Sequence, residues 1–295
     1  MTTSLLIFAD FPDHRVTGRC IYSISDLLTI SLLTYLCGGE DYVDMSEFAH
    51  VRARGFGLLS GNDTSPSPDT FERLMSAVCP EELHRCLSEH GRSFLSSLDE
   101  KQVAIDGKKL RGTSPRTTGT RGDYILSAYV TENHLLVGQE AVTDKENEIT
   151  AMPRLLDGLD TEGAVVSIDA AGTQTAVAER IIKGGAHYFL AVKDNHPSLC
   201  EAVGYAFRCG RATDMSSEMD AGHGRVEERT CRIAAAGSME DGELIASWPS
   251  LRTVVEVAST VSSAEGTVSS LRHYISDEDC PHAAYYAMLA RGTGA

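Results

Sequence analysis

The segment VAIDGKKLRG, residues 103–112, has the pattern that decides how this chain folds. A short run of Val, Ala and Ile ends at Asp106, and small and basic residues follow. A second segment, VVSIDAAGTQ at residues 165–174, repeats the arrangement with Asp169. Such apolar runs predict strands that are buried on both faces of a sheet. Strands of this kind deliver their final acids to the carboxyl edge, where open α/β sheets bind ligands.

Helix and strand patterns alternate around these two acids. Residues 124–131 and 135–142 predict a hairpin, because the polar turn Glu-Asn-His separates two strand-like runs. Residues 187–192 predict a further strand, and helices are predicted at residues 149–159, 173–183 and 197–207. Three later strands are predicted at residues 225–233, 254–260 and 268–275, before a final helix at 281–291. The alternation predicts an α/β core with a mixed sheet.

The first 99 residues have a different pattern, which predicts a helical region. Residues 24–37 are dense in Leu and Ile and end at Gly38 and Gly39, a strong helix terminator. Further helices are predicted at residues 43–55 and 69–78, and from residue 80 to about 98.

Composition limits the classes of protein that this chain can belong to. With 42% hydrophobic and 23% charged residues, the chain is globular, and no apolar stretch approaches the roughly 20 residues of a membrane span. The 8 cysteines include no CxxC pair, which argues against a zinc ribbon or disulfide scaffold and favours the cytosol. Because the net charge is −16, any nucleic-acid site must be local. Residues 101–121 qualify, with six basic side chains and one acid.

Asp106 and Asp169 are the candidate catalytic and metal-binding residues. Two neighbouring carboxylates repel each other unless a divalent cation such as Mg²⁺ or Mn²⁺ lies between them. Such a cation activates water or a 3′-hydroxyl in phosphodiester chemistry. The adjacent Lys108, Lys109 and Arg111 suit a polyanionic substrate. The alternative is that both acids are ordinary strand-end turn residues and that the cations form a solvated basic turn.

Several segments together resemble the DDE transposases of H-repeat-associated, ISAs-type insertion sequences. The matching segments are AIDGKKLRG, the hairpin at 124–160, VVSIDAAGTQ, the stretch at 178–199, GHGRVEERTCRI at 222–233 and RHYIS at 272–276. Residues 10–49 and 65–83 resemble the helical N-terminal domain that is associated with this family. The resemblance extends from about residue 10 to residue 276 in the same order.

The resemblance implies a ribonuclease-H-like core with an Asp, Asp, Glu triad on two metal ions, Mg²⁺ or Mn²⁺. Asp106 matches the first acid and Asp169 the second, and Lys108, Lys109 and Arg111 would contact phosphates of DNA. The implied architecture is a helical N-terminal domain, the core, a β-rich insertion with return strands, and a truncated C-terminal segment, at residues 1–99, 100–207, 208–275 and 276–295. The implied partners are element ends and target DNA, bound by a homodimer or higher assembly at the nucleoid in the cytoplasm.

The end of the sequence departs from this family. Its catalytic Glu lies in a C-terminal helix with His-Trp and Ile-Glu-Asn motifs, whereas here HYISDEDCPHAAYYAMLARGTGA follows and no third catalytic Glu is found. Glu278 and Asp279 are predicted to lie in a loop, and His223 is expected to be structural or to contact DNA. We therefore expect a C-terminally truncated, impaired transposase. The alternatives are a non-catalytic DNA-binding or assembly protein, either a remnant or a regulator of transposition, and a metal-dependent nuclease that needs two acids.

Overall fold

The computed structural model describes residues 7–59, 64–93, 97–109, 124–142, 148–222, 224–263 and 266–293. The chain divides into two compact units, residues 1–94 and 95–295. We describe each unit by itself.

The first unit is helical, as the sequence predicts. Its helices are α1 Ile24–Leu36, α2 Tyr42–Val51, α3 Pro68–Ala77 and α4 Pro80–Arg92. Ser23 and Asp41 accept hydrogen bonds from backbone N–H groups in the first turns of α1 and α2, which caps both helices. Leu27, Ile30 and Phe71 are fully buried in the core of this unit. The last helix ends at Arg92 rather than near residue 98.

The second unit contains one large mixed sheet. Its strands are β1 Gln102–Lys109, β2 Tyr124–Val130, β3 Leu135–Val142, β4 Val165–Ile168, β5 His187–Val192, β6 Asp214–Gly222, β7 Arg225–Ala235, β8 Thr253–Ser263 and β9 Gly266–Ser276. Its helices are α5 Glu148–Asp157, α6 Thr175–Lys183, α7 Pro197–Arg208, α8 Gly242–Ala246 and α9 Ala283–Gly292. In the part of the chain that the structure describes, the strand order is β3-β2-β1-β4-β5-β9-β8-β7-β6.

The predicted ribonuclease-H-like core is confirmed. An antiparallel β1–β2–β3 meander joins two parallel strands, because β4 pairs in parallel with both β1 and β5. The remaining strands are antiparallel to their neighbours and extend the same sheet through β9, so the β-rich insertion is continuous with the core. The edge strand β6 was not predicted, because its sequence DMSSEMDAG is polar and lacks apolar alternation.

Helices cover both faces of the sheet. On one face, side chains of α5, α6 and α7 pack against Val103, Ile105 and Ile168. On the other face, α9 packs against Phe189 and Tyr274, whose rings stack with centroids 4.5 Å apart. All four residues of β4 are buried, as expected for a strand between two helical layers. None of the described helices is long and apolar enough to cross a membrane.

A buried amide attaches α9 to β1. The Gln102 side chain is 2% exposed, and its Nε2 donates to the Leu289 carbonyl oxygen of α9 at 2.7 Å and to Ser167 Oγ at 2.8 Å. At Gly292, a Cβ atom would come within 2.2 Å of Gln102 Oε1, so the end of α9 approaches this amide too closely for a side chain. The amide therefore fixes the position of α9 on the sheet.

Replacing Gln102 by Met should destabilise the second unit. The apolar side chain would fill the space but remove the donor to Ser167 and to the Leu289 carbonyl, which keeps its hydrogen bond from Thr293 Oγ1, so the expected cost is about 0.5–1.5 kcal/mol in the free energy of unfolding. Urea unfolding followed by fluorescence measures this unit alone, because the single Trp, Trp248, is buried in it. The matched control is Gln139→Met at a half-buried position, with an expected change of less than about 0.5 kcal/mol. Equal midpoints for both variants would contradict this role of Gln102.

Candidate active site

The parallel pairing of β1 with β4 brings the two predicted acids together. Ile105 pairs with Ile168, and Asp106 and Asp169 are the next residues of their segments. Neighbouring strands lie about 4.8 Å apart, so the two carboxylates leave the sheet side by side. Both acids lie on the α9 face, since they alternate with Ile105 and Ile168, which pack on the opposite face. Both are exposed to solvent.

Asp106 lies within a strand rather than at a strand end, in contrast to the prediction. β1 continues to Lys109 because β2 remains paired with it as far as the Lys109–Tyr124 pair. The extension places Lys108 on the same face as Asp106 and Lys109 on the opposite face, since side chains alternate along a strand. Gly107 is required here, because a Cβ atom would lie 2.2 Å from the Tyr124 hydroxyl oxygen. Arg111 and His223 lie outside the described residues.

Asp169 is held by two donors that bind the same carboxylate oxygen. Its Oδ1 accepts from the backbone N–H of Ala170 at 2.7 Å and from Lys193 Nζ at 2.8 Å. Partial burial raises the pKa of Asp169, but the hydrogen bonds from Lys193 and Ala170 outweigh that effect, and the pKa lies below its ordinary value. The acid is therefore ionised at neutral pH, with Oδ2 bound by no hydrogen-bond donor from the described residues.

The polar loop after β5 fixes the turn that follows Asp169. Asn195 Nδ2 donates to the Ala170 carbonyl at 2.6 Å, and His196 Nε2 donates to the Thr173 carbonyl at 2.6 Å. Thr173 Oγ1 returns a hydrogen bond to the Ala191 carbonyl at 2.6 Å. Together with Lys193, this loop orients Asp169 from the neighbouring strand. The sequence offers one signal for this loop, four polar residues directly after a buried strand, which does not by itself indicate their role.

Glu278 lies at the opposite end of the strands from the two acids and is therefore too far away to join them. Because β9 is antiparallel to β5, Ser276 pairs with Phe189, so Glu278 follows near the start of β5, whereas Asp169 lies near its end. The Glu278 carboxylate accepts from the Tyr285 hydroxyl at 2.7 Å. Burial raises the pKa of Glu278 above its ordinary value. We interpret Glu278 as a structural acid.

The chemistry of the acid pair fits a divalent cation. Two carboxylates on adjacent strands, with Asp169 Oδ2 bound by no donor among the described residues, are oxygen ligands of the kind that Mg²⁺ and Mn²⁺ take. The described residues contain no group of three or more His, Cys, Asp or Glu side chains that could hold a metal ion. The pair would supply two protein ligands of such a site, fewer than a complete metal site needs.

Replacing Lys193 by Met should raise the pKa of Asp169. Without the Lys193 ammonium group, partial burial would be opposed only by the Ala170 N–H and the nearby charge of Arg272, so the pKa should rise from below the ordinary 3.8. The stabilisation that the ion pair contributes is present above the ordinary pKa and is lost as the pH falls through the lowered folded-state pKa. Carboxyl-carbon NMR titration of Asp169 measures the change. Lys183→Met, at an exposed position of α6, is the control and should leave the titration unchanged.

The strand order and the paired acids define the class of this protein as one with a ribonuclease-H-like catalytic fold. The model of the transposase DDE domain matches residues 97–216, and that of the DDE_Tnp_1-associated domain matches residues 5–90. The chain is 30% identical to the H repeat-associated putative transposase YbfD of Escherichia coli, over 74% of this chain and 88% of that protein. It therefore belongs to the H repeat-associated DDE transposases, a family whose members cleave and transfer DNA strands.

Two further relatives differ in the length that the chain covers. It is 35% identical to the "Uncharacterized protein in dhlA 3'region" of Xanthobacter autotrophicus, over 85% of this chain and 86% of that protein. It is 31% identical to the H repeat-associated putative transposase YhhI of Escherichia coli, over 74% of this chain. That match covers 59% of the length of YhhI.

Proposed function

We propose that this chain acts on the ends of an insertion sequence and on target DNA through Asp106 and Asp169, with Mg²⁺ or Mn²⁺ held between them. The observation that carries the proposal is the β1–β4 register, in which each acid directly follows the Ile105–Ile168 pair. A cation held there would activate water or a 3′-hydroxyl and stabilise the leaving oxygen. The protein contributes the rigid spacing of the two carboxylates.

The neighbouring side chains prepare the acids and bind the phosphates. Lys193 and the Ala170 N–H both bind Oδ1 of Asp169 and keep the carboxylate ionised. Its other oxygen, Oδ2, accepts from no donor among the described residues and can then bind a cation. Lys108 lies two residues beyond Asp106 on the same face, where its ammonium group would bind a phosphate of the substrate strand. Lys109 lies on the opposite face of β1, so its contact with phosphates, like that of Arg111, stays a prediction from the sequence. We further propose that the helical N-terminal region recognises element ends or dimerises, so that a homodimer or larger assembly forms on DNA at the nucleoid.

We also propose that the 295-residue chain is impaired in strand cleavage. The helix over the acid face, α9, has the sequence AAYYAMLARG and carries no carboxylate. In the connection between β9 and α9, the Glu278 carboxylate accepts a hydrogen bond from Tyr285, at the opposite end of the strands from the two acids. These observations also favour the second candidate function, a non-catalytic protein that binds DNA or assembles with an active relative. A nuclease that uses two acids is the third.

The binding of divalent cations should be weak, and it should require both Asp106 and Asp169. Two carboxylates give few ligands, and Mg²⁺ dehydrates reluctantly, so the heat of Mn²⁺ binding measured by calorimetry should exceed that of Mg²⁺. Asp106→Asn and Asp169→Asn should each abolish this heat. The control Glu278→Gln should retain it, because Glu278 lies at the other edge of the sheet. Equal heats in all four proteins would place the cation elsewhere and refute the site.

The 295-residue chain should bind DNA without cleaving it efficiently. Loss of one electrostatic contact to the reacting centre typically costs about 10²–10³-fold in rate. The measurement is a gel assay with labelled element ends and Mn²⁺, beside a version extended by a C-terminal helix that carries the family's Ile-Glu-Asn motif. Cleavage should appear in the extended version and disappear again with Asp169→Asn. Robust cleavage by the 295-residue chain that Asp169→Asn abolishes would show that it is not impaired.

A further inference from the structure

A concave surface lies beside the acid pair, between α9 and strands β6 to β9. Its volume is about 300 Å³. Several of the side chains that line it are small and leave room for a ligand. These are Ser216, Ser259, Ser270, Ala287 and Ala290. It lies on the α9 face of the sheet, the same face as Asp106 and Asp169. We call it the arginine groove because four arginines line it.

The arginine groove is positively charged although the whole chain is acidic. Arg225, Arg229, Arg272 and Arg291 line it together with two glutamates, which gives a net charge of +2 against −16 for the chain. Arg229 is paired with Glu227 at 2.6 Å, and Arg291 is paired with Glu218. Within the described parts of the chain, Arg225 and Arg272 form no ion pair. Arg272 hydrogen-bonds the Tyr274 hydroxyl, but a guanidinium group has five N–H donors, so both arginines keep donors for an anion from outside.

The groove is continuous with the surroundings of Asp169. Arg272 and Tyr274 line both the arginine groove and a smaller pocket next to Asp169 and Lys193. The sheet explains this proximity, because Val192 pairs with His273, which places Lys193 and Arg272 next to each other on adjacent strands. A row of cations thus begins at the acid pair and leads into the groove.

The arginines are spaced along the strands over a length that suits a nucleic-acid backbone. Arg272 is at the level of Cys231 in the sheet, since both pair with Val257. Arg229 lies two residues and Arg225 six residues from Cys231 along β7, so the row extends over about 20 Å. This length corresponds to about six nucleotides of one strand, at 3.4 Å of helix axis per phosphate.

We infer that the arginine groove binds the phosphate backbone of the DNA as it leaves the acid pair, with Arg272 and Arg225 as its contacts. This inference rests on the proposed function, which puts a phosphodiester at Asp106 and Asp169. Guanidinium groups match phosphates through paired N–H donors, and serine hydroxyls on the floor add donors. The outer region of the groove near β6 is acidic, with Glu218, Asp220 and Glu227 beside two arginines. These acids would repel phosphates, so the DNA backbone would follow Arg272 and Arg225 instead.

The test compares the salt dependence of DNA binding between two double variants of equal charge. Arg225→Gln with Arg272→Gln removes the two contacts. The control, Arg180→Gln with Arg208→Gln, removes two exposed arginines of α6 and α7, which cover the other face of the sheet. Fluorescence anisotropy with a labelled mixed-sequence duplex and the corresponding single strand, in EDTA and over a range of KCl, gives the slope of log K against log salt.

The groove variant should lower the magnitude of this slope by about 1.8 for duplex or about 1.4 for single-stranded DNA, as two lost phosphate contacts require. The probe that loses its full expected slope, while the other loses little, identifies the form of DNA that occupies the groove. Circular dichroism and Trp248 fluorescence confirm that each variant is folded. A slope unchanged from the wild type, or lowered equally in the control, would overturn the inference. In that case metal binding by Asp106 and Asp169 would still stand as an independent test of the proposed function.

Discussion

The backbone register between β1 and β4 is the constraint on which the candidate site depends. Parallel hydrogen bonding from Gln102–Val165 to Ile105–Ile168 sets the two acids at one level of the sheet. A slip of one residue would turn Asp106 to the face covered by α5 and α6 and separate the pair. Burial prevents that slip, because Val103 and Ile105 on β1 and Val166 and Ile168 on β4 fill the core of that face. The packing of apolar side chains on one face of the sheet thus fixes the positions of the two acids on the other face.

The parts of the fold with strong apolar patterns could be predicted from the sequence. The two runs that end at Asp106 and Asp169 predict buried strands, and the alternation of strands and helices predicts the mixed sheet. The site itself required the fold. Lys193 is 24 positions from Asp169 along the chain, and only the pairing of β4 with β5 brings the two within 2.8 Å. Likewise, β6 could not be predicted, because an exposed edge strand needs no apolar alternation.

The distribution of charge explains how an acidic chain could act on a polyanion. Phosphate contacts depend on local charge, and the cations Lys108, Lys193 and Arg272 lie on the α9 face around the two acids. On α6 and α7, which cover the other face, arginines are neutralised in place, in the pairs of Arg180 with Asp157 and Arg208 with Glu201. Net charge alone is therefore a poor guide to the partner of this protein. If the proposed function holds, the arrangement would also orient an approaching DNA, because the α9 face would attract it and the acidic remainder would repel it.

The exposed edge strand β6 has a consequence for solubility. An unpaired edge of nine residues offers its backbone groups to a strand of another molecule, which is a common route to aggregation. Three acids, Asp214, Glu218 and Asp220, lie along this strand, and a second copy of β6 would bring like charges together. At neutral pH this repulsion keeps the edges of two molecules apart. Near the sequence pI of about 5.0 the chain carries little net charge to oppose association, so storage buffers at that pH favour self-association through this edge.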